Sequence, residues 1–360
     1  MSPTSSTSDP AAADPGGRGQ RFWRELTSMS PLNGDIQVGV KAGICLLVPL
    51  LILLGLGRPD LFGAVGFGAF STLFARNITP RAALRIQAEG GSAVLGAVML
   101  GVAISAFLPK SVAGLFIIAA YASVIQPLNQ ARGWRAPAGL FMGFAAGAFS
   151  NLNEVTWPLA GQIFATALAT SLFGLGLTWL QSLGRNTPAT SPAPTTVPYR
   201  SKLFTSDTVW MLTAGLVAAL LGWLVTPEHA YWALVCSLVL TTRPLRHRWK
   251  IRTLHRVLGT VVGAVIAMPL LVWTPSPWVA VILLPLVQAL TEIFVLRNYA
   301  VGVMFITVQA LLMTVIAHPA SGPDVAVERL LATAVGLGCG IVTILIQLLA
   351  DRRRQQHGQD

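Results

Sequence analysis

Apolar runs recur along nearly the whole chain, several of them reaching the roughly 20 residues that an α-helix needs to cross a bilayer. No water is available inside a bilayer to satisfy backbone N–H and C=O groups, so a chain of such runs has to fold as a set of membrane helices. The charge content agrees: 11% of residues are charged, against roughly 25% in a soluble domain. The expected fold class is therefore an all-α polytopic membrane protein. The apolar runs cover 36–57, 61–75, 90–108, 112–125, 136–149 and 159–183, then 208–226, 230–242, 257–273, 277–291, 299–317 and 326–350. Taken as crossings they give about twelve transmembrane helices, of which 61–75, 136–149 and 230–242 are short for a full span.

Composition divides the chain further. Residues 1–35 are rich in Ser, Pro, Ala and Gly and read as a disordered cytoplasmic segment, in which Arg21, Phe22, Trp23 and Arg24 have the make-up of a short interfacial helix. No basic stretch there leads directly into an apolar one, so no cleaved signal peptide is expected, and the first membrane helix is expected to act as the targeting element. Residues 36–184 hold the first six runs and 207–350 the last six, with a Pro/Thr/Ser-rich cytoplasmic linker at 185–206 and a basic, polar cytoplasmic tail at 351–360. The two groups match in plan. Asp35 corresponds to Asp207, Pro59-Asp60 to Pro227-Glu228, and the basic segment from Arg76 to Arg85 to that from Arg243 to Arg256. These matches point to two parallel six-helix repeats, since an even number of crossings keeps the copies in one orientation.

With this count, all but three of the 25 Lys and Arg residues fall on one side of the membrane, leaving Arg58, Lys110 and Arg329 opposite. The bias orients both termini and all the basic loops toward the cytoplasm, in a multi-pass protein of the cell's inner membrane. The net charge of +11 thereby has a topological explanation, with attraction to anionic lipids at the cytoplasmic face, and no nucleic-acid partner is expected. Cys45, Cys236 and Cys339 sit within apolar runs without CxxC or Cys/His spacing and read as packed, reduced thiols, so no metal site is expected. No nucleotide-binding, metalloprotease or nucleophile-elbow motif is present; the chain reads as neither enzyme nor ATP-driven pump, and no cofactor is expected.

The motif letters of the second half carry a resemblance. Tyr231-Trp232-Ala233-Leu234, the Arg-rich turn after it, the run from Arg256 to Ala264, and Arg297-Asn298-Tyr299-Ala300 resemble the repeat unit of the fusaric acid resistance family, in the aromatic acid exporter superfamily. The likeness covers about Asp207 to Ala350; the first half keeps the hydrophobic plan but has Phe62-Gly63 in place of Tyr-Trp and Glu89-Gly90-Gly91-Ser92 in place of the Arg-containing motif. What the resemblance implies is an inner-membrane exporter of organic anions, including aromatic carboxylic acids, or a channel-like conductor of them. A non-transporting membrane scaffold is the reading from another class, and the degenerate first half gives it weight.

An anion leaving water has to recover its hydration from donors or positive charge, and guanidinium groups suit a carboxylate. The candidates for attracting and binding substrate lie where basic loops meet helices: Arg85, Arg135, Arg243, Arg252, Arg256 and Arg297. Each also reads as a topology determinant or a lipid-phosphate contact. Glu89 and Glu292 are candidates for proton coupling if buried; the alternative is an ion pair, with Arg85 for Glu89 and Arg297 for Glu292. Glu328 and Arg329 open the last run, where an acid near a helix N-terminus has an ordinary electrostatic reason. Tyr231 and Trp232, like Trp157, Trp223, Trp273 and Trp278, read as an aromatic belt near the outer surface, with stacking on an aromatic substrate as the alternative.

Overall fold

The computed structural model describes residues 18–32, 34–74, 78, 80–134, 138–183, 197–203, 205–241, 248–273, 276–317 and 322–357. These residues are almost entirely helical, and no β-strand occurs among them. In chain order the helices are α1 (Arg18–Thr27), α2 (Asp35–Gly55), α3 (Phe62–Ala69), α4 (Pro80–Phe107), α5 (Val112–Arg132), α6 (Ala138–Phe149) and α7 (Trp157–Leu183). They continue with α8 (Arg200–Leu203), α9 (Ser206–Val225), α10 (Tyr231–Thr241), α11 (Trp249–Trp273), α12 (Pro277–Phe294), α13 (Tyr299–Ala317) and α14 (Asp324–His357). Local chemistry sets several ends. Ser111 caps α5 by accepting the Gly114 N–H at 3.1 Å, and α5 stops at Gly133, whose φ of 68° is the left-handed conformation glycine adopts freely.

Among the described residues nine helices are long and apolar enough to cross a membrane: α2, α4, α5, α7, α9, α11, α12, α13 and α14. The three runs short for a span prove to be short helices. Residues 61–75 fold as α3 followed by a 3₁₀ segment (Phe70–Phe74), while 136–149 and 230–242 fold as α6 and α10. The 11 residues of α10 rise only about 16 Å, half the hydrocarbon thickness. All of them are buried, as are most of α3 and α6, so the irregular backbone around these helices is enclosed by protein rather than by lipid.

The helices pair within and between the halves of the chain. In the first half α4 packs on α6 and α7, and α3 on α7; in the second, α11 packs on α13 and α14, and α10 on α14. Across the halves α2 packs on α12 and α5 on α9. Missing side chains permit the closest of these approaches. A Cβ at Gly263 of α11 would stand 2.5 Å from the Met304 carbonyl oxygen of α13, and Gly336 of α14 leaves equally little room against the Ala233 backbone of α10. Gly259, one turn earlier on α11, is as close: a Cβ there would stand against the Ala300 carbonyl oxygen of α13.

The ends of the chain are held as well. The segment after α1 lies against the starts of α11 and α13: the Leu26 carbonyl accepts from Asn298 Nδ2 at 3.2 Å and lies 2.9 Å from His255 Nε2. Just before α8, Val197 N–H bonds the Ala131 carbonyl and the Tyr199 hydroxyl bonds the Val124 carbonyl, both at 3.0 Å.

Candidate functional site

A cavity of about 930 Å³ lies between the two halves of the chain. It is lined along α13 from Tyr299 through Ile306, Gln309, Ala310 and Met313 to Ala317. That stretch of helix rises about 27 Å, close to the hydrocarbon thickness of a bilayer. At the Tyr299 end the wall includes Gln130, Trp134, Arg252 and Leu296. At the Ala317 end stand Asp60 and His229, each from a short 3₁₀ turn that precedes a buried short helix.

The wall contributed by the first half is aromatic. Phe67 packs edge-on against Phe70 (5.1 Å between ring centroids) and Phe149 (5.6 Å) and at a tilt against Phe144 (5.4 Å); Phe70 meets Phe141 at 5.2 Å. The glycines between these phenylalanines serve other contacts, Gly68 approaching the Ala167 backbone of α7 and Gly147 the Tyr231 ring of α10, which leaves the phenylalanine rings toward the cavity. Gln126 and Asn129 of α5 add amides to this wall.

The wall contributed by the second half is charged. Arg256 of α11 is 3% exposed; it donates weakly through Nη1 to the Tyr299 hydroxyl and through Nη2 to Cys236 Sγ, both at 3.4 Å, and its Nε has no partner. Arg329 of α14 is 1% exposed, with its guanidinium 4.8 Å from the centre of the Trp232 ring and both Nε and Nη1 without hydrogen-bond partners. Trp232 also stacks on the His229 imidazole, at 4.3 Å and 15°. His229 Nδ1 pairs with the Glu328 carboxylate. Arg252 lies over the Tyr299 ring at 4.7 Å. Glu292 is buried in the same wall and accepts from Gln288 Nε2 at 2.9 Å, and Gln288 in turn accepts from Gln309 Nε2 at 2.8 Å.

Of the residues singled out from sequence, the structure therefore brings Arg252, Arg256 and Glu292 into one cavity. Arg297 is elsewhere: its Nε donates to the Ser30 carbonyl at 2.9 Å and its guanidinium lies over Phe294, so it holds the N-terminal segment and makes no pair with Glu292. Arg85 is exposed and bonds Glu89 at 2.9 Å. Glu89 also accepts from Trp134 Nε1 at 3.0 Å and lies 3.6 Å from Arg132, so the ion-pair alternative describes it. Arg135 and Arg243 lie outside the described residues. At the other mouth, the Arg58 guanidinium bonds Asp60 at 2.7 Å and holds that carboxyl below its ordinary range.

Two features depart from the reading of the sequence. Arg329, taken as an ordinary helix-opening residue at the outer boundary, is fully enclosed in the cavity wall. Tyr231 and Trp232 are buried beside it, whereas Trp157, Trp273 and Trp278 are exposed as a belt requires. A signal for Arg329 was present: it is a basic residue inside an apolar run, and one of the three that the alternation of runs sets apart from all the others.

Nine membrane-length helices among the described residues, packed around a cavity with an aromatic and a charged wall, define a multi-pass helical membrane protein. Residues 213–343 match the model of the family described as fusaric acid resistance protein-like, which establishes for the second half the resemblance drawn from its motifs. Two curated relatives are similar over shorter stretches. One is the uncharacterized membrane protein YvaC of Bacillus subtilis, 32% identical over 99 residues, covering 26% of this chain and 16% of that protein. The other is the inner membrane protein YccS of Escherichia coli, 35% identical over 112 residues, covering 30% of this chain and 15% of that protein. The chain thus spans about a sixth of the length of the curated relatives it matches. No solved structure matches.

Proposed function

We propose that the protein exports organic anions, aromatic carboxylates among them, across the inner membrane through the cavity between its halves. The observation that carries this reading is the pairing of two buried, incompletely bonded arginines, Arg256 and Arg329, with a facing wall of phenylalanines in a cavity of about 930 Å³. A guanidinium in a low-dielectric site offers a carboxylate the donors it loses with water, and aromatic faces receive the ring. Arg252 stands at the Tyr299 mouth; Arg85 and Arg297 lie outside the cavity, and their charge, with that of Arg135 and Arg243 from the sequence, raises the local concentration of anions and binds lipid phosphates. In this reading both termini and that face are cytoplasmic, following the distribution of Lys and Arg.

The same reading takes the chain as two parallel six-element repeats, with α3, α6 and α10 standing for the short crossings. The pairings of α2 on α12 and α5 on α9, and of α3 on α7 and α10 on α14, support it, because each has its counterpart in the other half. Glu292, buried in the cavity beside Gln288, is the proton-coupling group; taking up a proton from the outer side as the anion leaves, and losing it to the cytoplasm, would couple export to proton entry.

Reconstitution in proteoliposomes with a panel of aromatic and aliphatic acids tests the proposal. Wild-type protein is expected to move aromatic acids faster under a proton gradient, and Arg256→Gln to lower that flux about 10- to 100-fold with membrane insertion intact. Undiminished flux in Arg256→Gln would remove this residue from the site. Glu292→Gln is expected to keep flux and lose its dependence on the gradient. The continuous lining along α13 favours one second reading, a passive anion channel, for which flux ignores a collapsed proton gradient even in the wild type.

A further inference from the structure

Two guanidinium groups stand in the wall of the central cavity without a carboxylate beside either. Arg256 has only a hydroxyl and a thiol for partners, and Arg329 only the face of Trp232. Among the described residues, the ion pairs engage other acids: Asp60 with Arg58, Glu228 with Lys110, Glu89 with Arg85 and Arg132, and Glu328 with His229. The two charges are also close in the fold. Trp232 and Cys236, which Arg329 and Arg256 respectively touch, are one turn apart on α10, about 6 Å along its axis. Two like charges held near each other in a protein interior raise each other's energy, on top of the cost of desolvating both. A thiolate at Cys236 would balance one of them and leave the other.

We infer that Arg329 and Arg256 form a binding site for a small monovalent inorganic anion, of the halide class, which occupies the cavity when no organic anion is present. The size follows from enclosure. Arg329 is 1% exposed, with its guanidinium against the Trp232 face and Nε and Nη1 shut off from solvent, so only a small part of it faces the cavity, and the anion that meets that part is compact. Arg329 also lines the cavity, which provides the route in. The resident anion neutralises the pair while the protein rests, and an arriving carboxylate displaces it. The inference rests on the cavity and not on export, and its test is read with no organic acid in the solution.

The test is the thermal unfolding midpoint of the purified full chain in detergent, as chloride replaces isethionate at fixed ionic strength from about 1 to about 100 mM. Ligand binding to the folded state alone is expected to raise the wild-type midpoint saturably by about 3 to 6 °C. Arg329→Gln is expected to abolish the rise. Should that variant fold poorly, Arg329→Lys keeps the charge but loses the planar fork, and is expected to shift the chloride dependence to at least about tenfold higher concentration. Cys236→Ser is expected to retain the full rise; a rise that appears only in Cys236→Ser and is absent from the wild type would make the thiolate, rather than a bound ion, the counter-charge and would overturn the inference. A wild-type midpoint indifferent to chloride would also overturn it, whether or not the same preparation moves organic acids in liposomes. In the same liposomes, the half-saturating concentration of benzoate is expected to rise in proportion to chloride, and a value independent of chloride would separate the two sites.

Discussion

The two halves of the chain build opposite walls of one cavity with different chemistry. The first contributes Phe67, Phe70, Phe141, Phe144 and Phe149 with the amides Gln126 and Asn129; the second contributes Arg252, Arg256, Arg329, His229 and Glu292. The packing around the walls is alike: α4 lies on α6 as α11 lies on α13, and α3 on α7 as α10 on α14. Once helix packing is secure in both copies of a plan, the residues facing an enclosed space are free to diverge. A cavity with one aromatic and one cationic wall can hold an amphipathic molecule in one orientation, which two identical walls could not.

The comparison is sharpened first by attacking the packing common to both halves. Gly263→Leu and Gly101→Leu each place a side chain against backbone of the neighbouring helix, at Met304 and Ala146, and each is expected to abolish monodisperse protein on gel filtration. Gly161→Leu, with open space at its Cβ, is the control expected to behave as wild type. Normal behaviour of Gly101→Leu alone would break the parity of the halves. A smaller effect is expected from the aromatic wall: Phe144→Ala should raise the half-saturating concentration of an aromatic acid about 3- to 10-fold and leave an aliphatic acid unchanged. An equal loss for both acids would mean that the phenylalanines shape the cavity without reading the ring.

Smaller still are the expected effects of the basic residues away from the cavity. Arg297→Ala should expose residues 26–30 to protease by releasing the Ser30 carbonyl, while flux stays within about twofold of wild type. Arg85→Gln should change flux by less than about twofold at physiological salt, with a larger change at low ionic strength. A tenfold loss in either would extend the binding site beyond the cavity.

The helical membrane class and most element positions were legible from hydrophobic runs, because run length and the bilayer impose the same constraint. The runs at 299–317 and 277–291, for example, correspond to α13 (Tyr299–Ala317) and α12 (Pro277–Phe294). Depth along a helix is read in the same way, but the direction a residue faces in the bundle is not. Arg297 and Arg256 both sit near the starts of second-half helices. Only the three-dimensional packing turns Arg256 into the cavity and Arg297 toward Ser30. Trp232 illustrates the same limit: a tryptophan near a run end suits a membrane interface, yet α10 is too short to reach one and carries it inward. Glu89 was legible as an i, i+4 partner of Arg85, since that spacing places the two on one helix face.

The pairing of α2 on α12 has a consequence for how the molecule comes to exist. Gly39 and Gly43 of α2 pack against the Ala289 and Pro285 carbonyls of α12, which is synthesised about 240 to 250 residues later. Until α12 is made, α2 stands in the lipid with its small-residue groove uncovered. Chains stalled before α12 therefore present a ready surface for mispairing, and the bundle closes around α2 only once α12 has been inserted.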